Sequence, residues 1–302
     1  AQTSNARCKS FLNRASQDNR LREIPDYLVI GHATRDVAPG GGFLAGGTVT
    51  YAGITASRLG MQVAVLTSAD PAFPLFQDDL SIRVHCRPAQ AMTTFENVYA
   101  HGARQQHLRA VAEFLTPADL PAGWEQASIV HLGPIAQEVD VAFVGAFPRT
   151  LLGITPQGWL RHWDAQGLVS PVPWPFSADL LQAADAVVFS PEDVGGDREQ
   201  IAYFRQNTRL CVLTLGQSGA IVCQGASEER VPAYQSQEVD PTGAGDVFAA
   251  AFFIRLHETH DAIEAARFAN SAASFVIEGP GTSHIPSREQ VEWRMQYGRL
   301  RS

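Results

Sequence analysis

Apolar residues along this chain come in short continuous runs, the first being Tyr27-Leu-Val-Ile-Gly31. Four or five apolar residues closed by a turn-former read as a strand buried on both faces. The pattern recurs at Gln62–Thr67, Ser128–Leu132, Val141–Gly145, Ala186–Phe189 and Leu210–Leu215. Thr48 to Leu59 has helical spacing and stops at Gly60, and Arg198–Gln206 and Val247–His257 read as further helices. Continuous apolar strands alternating with helices predict an α/β fold, a mostly parallel sheet covered on both faces.

Two segments follow another rule. Ser81–Arg87 alternates polar and apolar residues, and Thr93–Ala100 is strand-like but polar on one side. Such period-2 stretches belong to a sheet with one wet face. With the Gly-rich approach at Gly40–Gly42 they predict a small β lid, built from about 36–45 and 81–110. Residues 1–24 are polar without a clear period and read as an N-terminal extension, so the main domain is expected over 25–302. The Pro-rich stretch Pro171–Pro175 reads as a connecting loop.

Composition narrows the function. A chain of 302 residues, 45% hydrophobic, buries a sizeable core without disulfides or metal. The balance of 23 basic and 31 acidic residues speaks against nucleic acid or an anionic membrane as partner. No apolar run reaches the ~18 residues of a membrane span, and the first residues lack a leader's charged-then-apolar layout. Cys8, Cys86, Cys211 and Cys223 form no CxxC pair, so the expected compartment is a reducing cytoplasm. Lys9 is the only lysine, which nearly excludes a P-loop, a kinase strand lysine or a Schiff base. Phosphate must then be held by backbone N–H groups, Arg or a metal.

The most specific segment is Glu238-Val-Asp-Pro-Thr-Gly-Ala-Gly-Asp246, with the apolar run Val247–Phe253 after it. It reads as a strand ending at Val239, a glycine turn, and a helix starting near Asp246. Gly243 and Gly245 strip side chains where the orphan amides of a helix N-terminus gather, which makes an anion hole. Asp246 stands beside that hole. A plain helix cap would account for an Asp there, but it would not require Gly-Ala-Gly before it.

Asp240-Pro-Thr-Gly-Ala-Gly-Asp246 resembles the C-terminal signature of the PfkB (ribokinase-like) carbohydrate kinases, and the resemblance extends from about Tyr27 to Pro286. It implies a three-layer α/β/α fold with a small β lid. Asp246 would be the general base on the accepting hydroxyl, and the amides of Gly243, Ala244 and Gly245 the anion hole. Asp240 and Thr242 would help hold a monovalent cation, K⁺. Gly31-His-Ala-Thr-Arg-Asp36 resembles the early substrate element, with Asp36 on sugar hydroxyls. Gly46 and Gly47, opening the helix, are similar to the glycine pair that admits substrate close to the backbone. Thr214, Gly216 and Gly219 match the ATP-side turn, and Asn270 a position near the adenine. Mg²⁺ is expected with ATP.

Departures are informative. Where the family carries Asn-x-x-Glu, this chain has Ser190-Pro-Glu-Asp193, leaving Glu192 or Asp193 for the metal. Tyr51 replaces the Asn that often follows the glycine pair, which favours a polyol other than ribose. Thr93–Tyr99, with Arg104 and Gln106 beyond, resembles the lid strand of inositol-kinase-like members. The expectation is ATP-dependent phosphorylation of a sugar or cyclic polyol, with a homodimer through the lid. The alternatives are a nucleoside kinase and a non-catalytic sugar- or nucleotide-sensing protein. Gly40-Gly-Gly-Phe-Leu-Ala45 loosely fits a dinucleotide fingerprint but follows no strand directly and opens no helix.

Overall fold

The computed structural model describes residues 23–37, 42–73, 75, 76, 79, 81–100 and 103–301. The expected extension therefore lies almost wholly outside the described residues, as do Gly40 and Gly41 of the lid approach. In chain order the strands are β1 Tyr27–Ile30, β2 Thr34–Val37, β3 Phe43–Gly46, β4 Val63–Ala69, β5 Arg83–Pro88, β6 Thr93–Ala100, β7 Ala103–Ala110, β8 Ile129–Leu132, β9 Leu151–Ile154, β10 Arg161–Trp163, β11 Val169–Pro171, β12 Ala186–Phe189, β13 Cys211–Thr214, β14 Ala220–Gln224 and β15 Ser227–Val231. The α-helices among the described residues are α1 Thr48–Arg58, α2 Ala178–Ala183, α3 Arg198–Asn207, α4 Ala244–Thr259, α5 Ala262–Val276 and α6 Arg288–Tyr297.

Among the described residues, nine strands form the main sheet in the order β15-β14-β13-β12-β9-β8-β1-β4-β5. It is parallel from β5 to β13, and β14 and β15 close one edge antiparallel. Alternation along each strand feeds two cores. Tyr27 and Val29 of β1 pack under α1, α4, α5 and α6, and Leu28 and Ile30 face the layer holding α2, α3 and Trp124, Phe143 and Trp159. This is the three-layer α/β/α arrangement that the sequence implied. No helix among the described residues is long and apolar enough to cross a membrane.

A separate four-stranded sheet, β3-β2-β6-β7, gathers segments expected to form the lid. It rests on the β10–β11 hairpin, where Leu108 N–H donates to Gly167 O at 2.8 Å.

Three expectations need correction. Arg83–Pro88 pairs in parallel with β4 at the edge of the main sheet, not in the lid. Its alternation reflects an edge strand: Val84 and Cys86 pack on one core, while on the other face His85 stands edge-on to the buried Trp124 and Arg83 and Arg87 are partly exposed. Val141–Gly145 is a 3-10 turn capped by Asp140, whose carboxylate accepts from Ala142 N–H at 2.9 Å. A five-residue apolar run buries Phe143 and Val144 equally well as a turn, and periodicity cannot distinguish the two. The strand slot beside β8 belongs to Leu151–Ile154. Finally, no strand ends at Val239, which is 61% exposed on an irregular segment tied to Ile277 O.

Candidate active site

The C-terminal ends of β1, β9, β12 and β13 open into a cavity of about 1340 Å³, the crevice where parallel sheets bind ligands. Thr34 and Asp36 of β2, Tyr51 of α1, Glu192, Thr214 and the turn 241–246 all line it. A smaller cavity of about 140 Å³ adjoins on the far side of Gly245, walled by Ala233, Tyr234, Phe248, Asn270, Ala273 and Ile277.

The amides expected to form the anion hole lie at the start of α4. Gly243 is its N-cap with φ of 79°, a left-handed conformation that glycine adopts without strain. The aromatic ring of Tyr51 lies directly on Gly243, where an added Cβ would come within 2.2 Å of it. Among the described residues, no acceptor faces the amides of Gly243, Gly245 or Asp246. The Ala244 amide is turned to Pro241 O at 3.2 Å, so its share of the hole is reduced. One turn in, Asp246 sits on the cavity floor. Burial raises its carboxyl to about 6; a hydrogen bond from Thr48 works against that rise, nearby Asp193 adds to it and Arg161 opposes it. Tyr51 is likewise pushed well above an ordinary phenol, by burial and by the facing charges of Asp246, Asp240 and Asp36. These effects place Tyr51 among the carboxylates that the sequence singled out.

On the acceptor side, Gly46 and Gly47 let the backbone close up. A Cβ on Gly46 would stand 2.7 Å from Asp36 Oδ2 and from Thr34 Oγ1, and one on Gly47 would strike His32 O at 2.4 Å. Thr34 Oγ1 is buried at the cavity wall with no hydrogen-bond partner among the described residues. A buried orphan hydroxyl beside Asp36 is a ready contact for a ligand oxygen.

On the donor side, Gly216 and Gly219 adopt φ of 54° and 86°, and a Cβ on Gly219 would strike Val231 O at 2.1 Å. Asn270 donates from its amide to Val231 O and Pro232 O at 3.1 and 3.2 Å, so it holds the wall of the small cavity. Thr214 lines both cavities and donates to Phe189 O at 3.3 Å.

The two metal candidates separate. Asp193 caps the turn after β12, accepting from Ser190 N–H at 2.8 Å and Gln157 Nε2 at 2.8 Å. Glu192 lines the cavity and its carboxylate makes no hydrogen bond among the described residues. Asp240 accepts from Thr242 N–H at 3.0 Å and Gly281 N–H at 3.1 Å, tying the turn to the segment after α5. Thr242 lies on the cavity rim. No cluster of three or more His, Cys, Asp or Glu capable of holding a metal occurs among the described residues.

Sequence reasoning missed Thr34, Thr48 and Arg161. Arg161 donates to Ile135 O at 3.0 Å and lies over the Phe95 ring of the lid, 5.3 Å from its centroid. Thr48 was detectable in principle, being the first helical residue after the glycine pair. Nothing local marked Arg161.

Residues 184–289 match the family model described as pfkB family carbohydrate kinase. The deoxyribokinase of Salmonella typhi is 36% identical over 198 residues, covering 61% of this chain and 62% of that protein. The ribokinase of Bacillus subtilis (strain 168) is 41% identical over 81 residues, covering 26% of this chain and 28% of the relative. The chain thus spans less than two thirds of the length of these curated relatives. Among solved structures, a pyrophosphate-dependent kinase in the ribokinase family, complexed with a pyrophosphate analog and myo-inositol, superposes with a TM-score of 0.72 at 24% identity. That superposition covers 88% of this chain and 99% of the other. Arabidopsis thaliana ribokinase, complexed with ribose and ATP, superposes with a TM-score of 0.70 at 20% identity, covering 91% and 100%. Residues 184–289, which include the signature turn, thus match the pfkB carbohydrate kinase family, and the nine-stranded sheet of the described residues has the ribokinase-like fold.

Proposed function

We propose that this protein transfers the γ-phosphoryl group of ATP to a hydroxyl of a sugar or cyclic polyol. The observation that carries this reading is the continuity of one cavity, which runs from Asp36, past Tyr51 and Asp246, to the amides at the start of α4. Asp36 accepts hydrogen bonds from neighbouring hydroxyls of the acceptor. Asp246 takes the proton of the attacking hydroxyl, a contribution of ~10²–10⁴ in rate. The amides of Gly243, Gly245 and Asp246, with the dipole of α4, stabilise the charge on the transferring group. The apolar small cavity suits a flat base, which favours ATP as the donor.

Mg²⁺ neutralises donor phosphate charge when bound. Glu192 is the carboxylate left to hold it, and one carboxylate with water suits that ion. Asp240 and Thr242 would hold K⁺ and thereby order the turn that presents the amides. The exposed Phe43 and Leu44 on lid edge strand β3 are the surface for a homodimer.

ADP release measured across a panel of sugars, cyclitols and a nucleoside tests the reading, and release should depend on a polyol. ADP release without any acceptor requirement, or nucleotide binding with no turnover, would leave the sensing-protein alternative standing. A nucleoside as the sole substrate would make it a nucleoside kinase. A pyrophosphate rate equal to that with ATP would remove ATP as the donor.

A further inference from the structure

Beneath the acceptor end of the large cavity runs a buried polar chain that the transfer step does not use. Tyr27 and His131 are both 0% exposed, on the adjacent strands β1 and β8. Tyr27 Oη lies 2.8 Å from His131 Nδ1, and His131 Nε2 lies 2.9 Å from Thr155 Oγ1. The imidazole is held edge-to-face against Phe253, with ring centroids 5.0 Å apart, so it cannot swing away. Thr155 follows β9 and lines the cavity. Its hydroxyl comes to 3.5 Å, and the Thr48 methyl to 2.4 Å, from the point where a Cβ on Gly133 would stand. Thr48 is the residue that hydrogen-bonds Asp246. The polar chain therefore surfaces next to the base.

Its proton order follows from counting donors. Burial keeps His131 neutral, so its ring has one N–H and one lone pair. If Nδ1 carried the proton, Nε2 would accept from Thr155 and the phenolic proton of Tyr27 would have no acceptor. The hydrogen bonds among the described residues give Tyr27 Oη no partner other than His131. A fully buried donor left unpaired carries its whole desolvation penalty, which disfavours that tautomer. In the other arrangement Tyr27 donates to Nδ1 and Nε2–H donates to Thr155 Oγ1. The Thr155 proton then points away from the ring, toward the cavity.

We propose that Tyr27 and His131 fix Thr155 as a hydrogen-bond donor to the acceptor substrate. It presents its proton to an oxygen adjacent to the hydroxyl that faces Asp246. Thr155 is the binding residue, and Tyr27 and His131 are positioning residues. The inference rests on the kinase reading above and narrows its substrate class. The acceptor must carry two neighbouring oxygens, one giving its proton to Asp246 and one accepting from Thr155. A site built this way discriminates strongly against a deoxy analogue, because its own buried groups go unpaired.

The test compares Thr155→Val, Thr155→Ser and Tyr27→Phe with wild type, using a polyol that the wild type phosphorylates and its deoxy analogue. Thr155→Val should raise the acceptor KM tenfold or more with the donor KM within twofold, while Thr155→Ser stays within threefold of wild type. Tyr27→Phe, which frees the tautomer, should raise the acceptor KM several-fold with the donor KM unchanged. Thr155→Val should also lose most of the preference for the polyol over its deoxy analogue. An acceptor KM within threefold of wild type in a folded Thr155→Val, or equal losses in the Val and Ser variants, overturns the inference. Calorimetric titration of the polyol into wild type and Thr155→Val reads the same contact without turnover, and equal affinities overturn it too. Polyol binding without acceptor-dependent ADP release would sink the kinase reading alone.

Discussion

Asp246 combines two properties that pull against each other. Its carboxyl is raised to about 6 by burial, so it is ionised at neutral pH yet close enough to titration to take up a proton. Asp246→Asn should lower kcat by ~10²–10⁴ while donor affinity stays within a few-fold. Near-normal turnover would remove it as the base. In the wild type, kcat/KM should fall about tenfold per pH unit below pH 6, and a profile flat to pH 5 would contradict the assignment. The same shift has a stability consequence. A carboxyl raised in the folded state binds more protons there than in the unfolded chain between about pH 4 and 6, so stability declines as pH rises through that window. Asn carries no such penalty. Asp246→Asn should therefore be more stable than wild type at pH 7.5 by ~1–3 kcal/mol, and the gap should close toward pH 4, read from melting curves. Beside it, Gly243 cannot be replaced: its φ of 79° and the Tyr51 ring both exclude a Cβ. Gly243→Ala should cost on the order of 1–3 kcal/mol and most of the activity. Tyr51→Ala in the same chain should relieve the clash and leave the backbone strain.

At the level of elements, the lid and the sheet meet at a buried carboxylate. Glu138, 2% exposed, accepts from the backbone N–H groups of His32, Ile135 and Ala136 at 3.1, 3.0 and 2.6 Å. It thereby clamps the segment between β1 and β2 to the loop after β8. His32 extends the clamp, with Nδ1 2.7 Å from Thr93 Oγ1 of β6 and Nε2 donating to Glu113 O at 2.9 Å. Glu138→Ala would leave three amides unsatisfied and should destabilise the fold by ~2–4 kcal/mol. Because β2 carries Asp36, it should also raise the acceptor KM. A melting temperature unchanged from wild type would show that the clamp is dispensable. Asp36→Ala should raise the acceptor KM at least tenfold with little effect on ATP, since Asp36 reaches only the acceptor half of the cavity.

For the molecule as a whole, two layers of core cover the main sheet, while the lid sheet meets the body through the β1–β2 link, the Gly47 link into α1, the segment 110–115, the β10–β11 hairpin and Ile135 and Ala136 beside Phe95. Local stability should follow that division. Hydrogen exchange in the lid strands β2, β6 and β7 should slow when donor analogue and polyol are both bound, with β1, β8 and β12 unchanged. Closure that excludes water protects ATP from wasteful hydrolysis. Equal lid exchange in the free and doubly bound protein would mean that the lid is static.

The sequence by itself determined the parallel core, because strands buried on both faces must be continuously apolar. It also determined the glycine turn before Asp246, because Gly adopts the left-handed cap that frees those amides without strain. Tertiary structure decided the rest. Arg83–Pro88 has the alternation of a lid strand, but an edge position in the main sheet imposes that same pattern. Asp193 and Glu192 are chemically alike, adjacent and both on the cavity, yet Ser190 and Gln157 engage the Asp193 carboxylate while that of Glu192 has no hydrogen bond among the described residues. Thr48 and Thr155 lie far apart in sequence, each indistinguishable locally from a structural threonine. They come together over Gly133, where the point a Cβ would occupy lies 2.4 Å from the Thr48 methyl and 3.5 Å from the Thr155 hydroxyl. Packing sets such long-range proximity, and local patterning carries no trace of it.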